Sequence, residues 1–243
     1  MIATPPRTSV VATGQGRGVS DPSSEPREIG SDGHNQDLEE SVAQPAADAV
    51  QPFILAGGRS SRFGSDKAAV EVAGVRQIDR LAAMLRVHFP RPAVLLCSEA
   101  SMARHPGHER LVDLNGSHGP ASGLATALEH LRSTGEAAWA LLVPCDLFAW
   151  GPELTEGFLS GWRPPADALA ISTGDRLSPL PSLWHRRRAA FARRLALSED
   201  RSIALAMARD PLAQTLVRDD LAPHLRSFNT LEELKSIQEE ASG

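Results

Sequence analysis

The sequence predicts an α/β fold with three layers, helices packed on both faces of a mostly parallel β-sheet. Three observations carry this. Short continuous apolar runs recur, as in strands buried on both faces. Between them lie stretches whose apolar residues fall at helical spacing. The two patterns alternate from Pro52 onward, which is the order of a parallel sheet with crossover helices.

Phe53-Ile54-Leu55-Ala56 is the first strand and runs into Gly57-Gly58. Ile78, Leu81, Ala82, Leu85 and Phe89 mark the helix after it. Ala93 to Cys97 is a second strand. Leu124, Leu128 and Leu131 mark a second helix, which Gly119-Pro120 introduces with proline in the first turn. Trp139 to Val143 is a third strand, and Ala168–Ser172 and Leu180–Trp184 suggest two more. Ala189–Leu197 and Ile203–Met207 read as helices. Thr230 and Glu233 form a capping box ahead of a last helix with Leu231, Leu234 and Ile237 on its apolar face.

Composition divides the chain in two. Residues 1–50 hold three Arg against eight Asp or Glu, so they carry the whole net charge of −5. They contain no aromatic residue and are rich in Pro, Gly and Ser, so they are expected to be a disordered acidic tail. They lack the apolar core of a signal peptide, and their acidity argues against a transit peptide. Residues 51–243 form the expected folded domain, electrically neutral, with no basic footprint for nucleic acid. No apolar run approaches the roughly 20 residues of a membrane span. Only two cysteines, Cys97 and Cys145, with no paired spacing, exclude a disulfide framework and a cysteine-based zinc site and fit a cytoplasmic location.

In a parallel sheet, ligands bind beyond the carboxyl ends of the strands, so the loops there carry the functional argument. The first reads L-A-G-G-R-S-S-R-F-G-S-D-K-A over Leu55–Ala68. Gly57 and Gly58 allow close backbone approach to a ligand, and Arg59, Arg62 and Lys67 bring three cations. Backbone N–H groups with Arg and Lys suit a polyphosphate. The spacing fits neither a Walker loop nor G-x-G-x-x-G, and a solvated strand–helix turn stays open as the plain alternative.

This segment resembles the signature of the molybdenum cofactor guanylyltransferase family. All ten fixed positions are filled: Leu55, Ala56, Gly57, Gly58, Ser60, Arg62, Gly64, Asp66, Lys67 and Ala68. The resemblance covers about residues 52 to 240. It implies a Rossmann-like nucleotidyltransferase domain, with Leu55, Ala56, Gly57 and Gly58 at the nucleotide and Arg62 and Lys67 on the triphosphate as the catalytic cations.

After the short apolar Leu111-Val112 stands Asp113, followed by N-G-S-H-G-P-A-S-G. Asp113, Gly119, Pro120 and Gly123 match the family's loop near the guanine nucleoside, whereas Ala121 and Ser122 depart from it. Pro144-Cys145-Asp146 follows the third strand directly. A carboxylate there suits Mg²⁺, or a cap for the helix starting near Pro152. The family's Pro-Cys-Asp motif implies that Asp146 binds the metal and the nucleotide. Its usual proline two residues later is Phe148 here. Leu177–Trp184 resembles a strand on the molybdopterin side, with Ser178 in place of the family's His or Gln. Ser227-Phe228-Asn229-Thr230 is similar to a C-terminal N-x-N-T element. Arg186, Arg187, Arg188, Arg193 and Arg194 form either a solvated face or a seat for the pterin phosphate. His105-Pro106-Gly107-His108 lacks a third ligand for zinc.

The resemblance thus implies transfer of GMP from GTP to molybdenum-molybdopterin with release of pyrophosphate. Mg²⁺ is the implied cofactor, and molybdoenzymes or cofactor-biosynthesis proteins are the implied partners. A related transferase using CTP or another phosphorylated acceptor, and a non-catalytic adaptor of the same fold, stand as alternatives.

Overall fold

The computed structural model describes residues 42–56, 70–99, 101, 105–113, 119–174 and 176–242. The expected tail lies outside the described residues as far as residue 41. From Val42 the chain already packs on the domain, and the expected boundary at residue 50 coincides with the first residue of a central strand.

The elements in chain order are β1 (Val50–Leu55), β2 (Glu71–Val72), β3 (Val75–Arg76), α1 (Gln77–His88), β4 (Val94–Cys97) and β5 (Arg110–Val112). Then come α2 (Pro120–Thr134), β6 (Trp139–Pro144), α3 (Pro152–Gly161), β7 (Ala168–Thr173) and β8 (Arg176–His185). The chain ends with α4 (Ala189–Leu197), α5 (Ile203–Arg209), β9 (Ala213–Val217) and α6 (Leu231–Ser242). Seven strands form one sheet in the order β5-β4-β1-β6-β8-β7-β9. Only β8 runs antiparallel to its neighbours. β2 and β3 make a separate hairpin. The sheet is therefore mostly parallel, as expected. The edge strands β5 and β9 and the hairpin extend the sequence expectation.

Side chains alternate between the faces, as a period of two requires. Ile54, Leu95, Leu141 and Val143 point to the face covered by α1 and α3, where they meet Leu81, Leu85, Leu154 and Phe158. Phe53, Leu96, Ala140 and Leu142 point to the face covered by α2, α4 and α5, where they meet Leu124, Leu128, Ala192 and Met207. A third, smaller cluster joins Val72, Phe228, Leu234 and Ile237, with Val70 and Phe148 against it. The last helix is capped as expected: the Glu233 N–H donates to Thr230 Oγ1 (3.1 Å), and Glu233 Oε2 accepts from the Asn229 N–H (2.5 Å).

The arginine run resolves into structure. Arg186–Arg188 is a 3₁₀ turn directly after β8. His185 pairs with Trp139, the first residue of β6, so this turn lies at the amino end of the central strands. Arg187 Nε donates to Asp167 Oδ2 (2.8 Å), and Arg188 Nε lies 3.6 Å from Asp167 Oδ1. Arg188 also pairs with Asp210. Asp167 is 1% exposed. Arg187 and Arg188 are thus tied into the fold at the end of the sheet opposite the ligand loops, which corrects both the solvated-face and the pterin-phosphate readings for these two residues.

Asp167→Ala is expected to destabilise the domain by about 2 kcal/mol, because it strips a buried partner from two guanidinium groups while Arg188 keeps Asp210. Urea unfolding measures the loss. Activity of the folded variant should be unchanged.

His185 supplies a pH dependence. Burial, reinforced by Arg187 and Arg186, lowers its pKa to about 4. The neutral ring lies edge-on to Trp139 at 5.0 Å, and Nδ1 accepts from the Arg187 N–H at 3.3 Å. The unfolded chain protonates this group near pH 6.5. The contribution of neutral His185 is therefore complete above about pH 6.5 and is lost as pH falls toward 4. His185→Asn should flatten the decline in melting temperature across that window. An unchanged decline would assign it to other groups.

Candidate functional site

β1 and β6 lie side by side, yet the chain leaves them in opposite directions. From β1 it crosses through α1 to β4, and from β5 it returns through α2 to β6 on the other side. The carboxyl ends of β1 and β6 therefore border the crevice where the winding direction changes, which is where an open parallel sheet binds ligands. The register sets Leu55 opposite Pro144. Beyond it the Cys145 N–H donates to the Leu55 carbonyl (3.3 Å), and the Ala56 N–H donates to the Leu96 carbonyl (2.8 Å). Leu55 is thus held against the Pro144-Cys145-Asp146 turn, and Ala56 is tied to β4 on the other side. Gly57, Gly58, Arg62 and Lys67 lie outside the described residues. They continue the chain directly from Ala56.

The turn after β6 is fixed on several sides. Its first hydrogen bond runs from the Leu147 N–H to the Pro144 carbonyl (3.1 Å). The Asp146 carbonyl accepts from the Phe228 N–H (3.1 Å), and the Phe148 N–H donates to the Arg226 carbonyl (2.8 Å). Leu147 bridges Ser227 in antiparallel fashion. Phe228, fully buried, anchors this returning segment. From α1, Gln77 Nε2 donates to the Leu147 carbonyl (2.6 Å), and Arg80 Nη2 donates to the Phe148 carbonyl. The alternative role of Asp146 as a helix cap does not hold. α3 begins at Pro152, its N-cap is Gly151, and no side chain caps it.

Asp113 follows β5 and is 8% exposed. Its N–H donates to the Cys97 carbonyl (3.1 Å). Two strand spacings, about 10 Å, separate β5 from β1 in the sheet. Asp113 therefore belongs to the same rim but stands apart from the β1–β6 junction. The chain is next described at Gly119, the N-cap of α2, with φ at +107°. That backbone conformation favours glycine, and Pro120 then occupies the first helical turn. Gly123 has a packing reason as well. A Cβ there would lie 2.3 Å from Leu55 Cδ2, so glycine lets α2 approach the end of β1.

Ser178 Oγ donates to the Leu180 carbonyl (2.6 Å), so its hydroxyl serves its own strand. His108 Nε2 lies 2.7 Å from Asp79 Oδ1, and no group of three metal-binding side chains occurs among the described residues. A single carboxylate does not make a resident metal cage. It does suit a divalent cation that brings its remaining ligands as phosphate oxygens and water. Gln77 and Arg80 escaped sequence reasoning, whereas Phe228 lies in the Ser227–Thr230 element that the sequence singles out. For Gln77 and Arg80 the one signal in the sequence is Phe148 in place of the family's proline.

The chain resembles known proteins over this same region. The profile of the MobA-like NTP transferase domain family matches residues 52–228. A molybdenum cofactor guanylyltransferase of Sinorhizobium fredii is 36% identical over 135 residues, 54% of this chain and 61% of that relative. This chain thus spans under two thirds of that relative's length. The crystal structure of molybdopterin-guanine dinucleotide biosynthesis protein A from Archaeoglobus fulgidus superposes with a TM-score of 0.63 at 22% identity, covering 79% of this chain and 98% of that one. Rv0371c of Mycobacterium tuberculosis, crystallised in complex with manganese, gives a TM-score of 0.57 at 17% identity, covering 79% of this chain and 98% of that one. With 177 matched residues that span the β1 strand end, the Asp146 turn and the returning segment up to Phe228, the chain belongs to the MobA-like NTP transferase domain family.

Proposed function

We propose that this chain transfers GMP from GTP to the phosphate of molybdopterin, in its molybdenum-loaded form, and releases pyrophosphate. The observation that carries this is the junction of β1 with β6. It sets the start of the phosphate-loop signature against the turn that bears Asp146. The name of the Sinorhizobium fredii relative supports guanylyl transfer.

In the reaction an oxygen of the molybdopterin phosphate attacks the α-phosphorus of GTP. A new P–O bond forms, the α–β P–O bond breaks, and its electron pair leaves with pyrophosphate. The protein is asked for position and charge rather than covalent chemistry. Gly57 and Gly58 bring backbone N–H groups close to the phosphates. Arg62 and Lys67 offset the charge that grows on the α-phosphate oxygens and the departing pyrophosphate. Asp113 stands toward the nucleoside. Asp146 would hold a divalent cation, Mg²⁺ in this reading, which neutralises phosphate charge when bound. The setting is the cytoplasm, where molybdoenzymes or other cofactor-biosynthesis proteins would receive the product.

Asp146→Asn keeps the shape of the side chain and removes the charge. Pyrophosphate release from GTP should fall at least about a hundredfold, since losing metal-assisted charge stabilisation raises the barrier by several kcal/mol. The melting temperature should stay within a few degrees, because the carboxylate caps no helix. Near-normal turnover would remove the metal role.

Lys67→Ala should weaken GTP binding about tenfold to a hundredfold, the worth of one charge-assisted contact of about 1.5–3 kcal/mol. Turnover should drop further still, because charge builds up in the transition state. Lys67→Arg should rescue only in part, since a planar fork does not replace a compact ammonium. Calorimetry and a pyrophosphate assay on both variants decide this. Unchanged values would leave Lys67 a solvated residue.

A further inference from the structure

The turn that carries Asp146 is gripped from α1 by two side chains of unusual placement. Gln77 is the first residue of α1 and is fully buried. Its Nε2 donates to the Leu147 carbonyl at 2.6 Å. Arg80, one turn further along, donates through Nη2 to the Phe148 carbonyl. The Arg80 guanidinium also lies over the Phe148 ring, 4.5 Å from its centre. The two side chains are linked, because Arg80 Nε donates to Gln77 Oε1 at 3.2 Å.

The link has a consequence for the geometry. A guanidinium has donors only, so the Gln77 atom facing it must be the amide oxygen. The amide NH₂ must then face the Leu147 carbonyl. Arg80 thereby fixes the orientation of Gln77 as well as holding the Phe148 carbonyl. Among the described residues Arg80 pairs with no carboxylate; its partners are a carbonyl, an amide and a ring. A half-buried cation stationed on a backbone carbonyl and an aromatic face is an expensive way to hold up a helix surface. It is a precise way to hold a turn.

Phe148 explains the need. A proline there would fix its own φ without help. Phe148 has a free φ, but it keeps an N–H, and that N–H donates to the Arg226 carbonyl. Phe148 thus joins the turn to the returning C-terminal segment, and the clamp from α1 supplies the rigidity that proline would have given.

We propose that Arg80, acting with Gln77, is a positioning residue that holds the Asp146 turn in its metal-binding geometry. Arg80 holds the Phe148 carbonyl directly and the Leu147 carbonyl through Gln77, and it acts through these two peptide groups. This rests on the reading of Asp146 as the residue that holds the divalent cation, and the experiment separates the two.

Two measurements on the full chain test it with Arg80→Ala, Arg80→Lys and Gln77→Met. The first is amide hydrogen exchange over 145–148 without ligand. The second is Mn²⁺ binding in the presence of GTP, followed by electron paramagnetic resonance. Arg80→Ala should speed exchange in the turn at least about tenfold relative to the β6 core and weaken Mn²⁺ binding about tenfold, the usual effect of removing a group that orients a metal ligand. Gln77→Met should act in the same direction. Arg80→Lys should restore little, since a lysine cannot bond the carbonyl, the amide oxygen and the ring at once. A turn that exchanges at the wild-type rate in Arg80→Ala overturns the clamp. Faster exchange with unchanged Mn²⁺ affinity overturns the positioning role and leaves Arg80 merely structural. If the wild type itself binds no Mn²⁺ with GTP, the metal reading of Asp146 fails and the positioning role falls with it, a result seen without any variant.

Discussion

The in-register pairing of β1 with β6 is the constraint on which the site depends. Six consecutive residue pairs, from Val50 with Trp139 to Leu55 with Pro144, bring two distant parts of the chain side by side at the centre of the sheet. The pairing is stiff because both strands are buried on both faces, and a slip of one residue would turn Phe53 and Ile54 to the wrong layers. One strand end starts the glycine loop and the other starts the Asp146 turn. Neither half of the proposed phosphate and metal site has meaning without the other, and the sheet sets the two strand ends from which they continue side by side, through backbone hydrogen bonds and burial on both faces.

The second requirement is that the turn after β6 keep its shape with no secondary structure of its own. Backbone bonds to 226–228 hold one side and Gln77 with Arg80 hold the other. The small cluster around Phe228, Leu234 and Ile237 gives the returning segment a hydrophobic reason to be there. The C-terminal helix thus contributes to the site indirectly, through a buried phenyl ring rather than through a ligand.

Much of this was legible in the sequence because burial on both faces leaves a plain mark. Phe53–Ala56, Ala93–Cys97 and Trp139–Val143 read as apolar runs, and the strands they mark form the centre of the sheet. β9 left no such mark. At the edge of the sheet its Ala213–Val217 side chains are partly or fully exposed, so the apolar run is diluted. The direction of β8 was invisible too, since a buried strand has the same composition either way up. The glycine signature and Pro144-Cys145-Asp146 were readable because they are contiguous. The clamp was not, because Gln77 and Arg80 look like ordinary polar positions on an amphipathic helix and their partners are carbonyls about seventy residues away. The arginine run misled for the same reason: its partners, Asp167 and Asp210, are distant in sequence.

The account stands most directly on whether this junction binds a purine nucleoside triphosphate with its metal. Titration calorimetry of the full chain with GTP, CTP and ATP, each with and without Mg²⁺, measures that. The account predicts that GTP binds, that Mg²⁺ strengthens its binding, and that CTP and ATP bind at least about tenfold more weakly, since a site built to pair with the edge of one base leaves polar groups unpaired with another. Equal binding of all three, or binding of GTP indifferent to Mg²⁺, would contradict it.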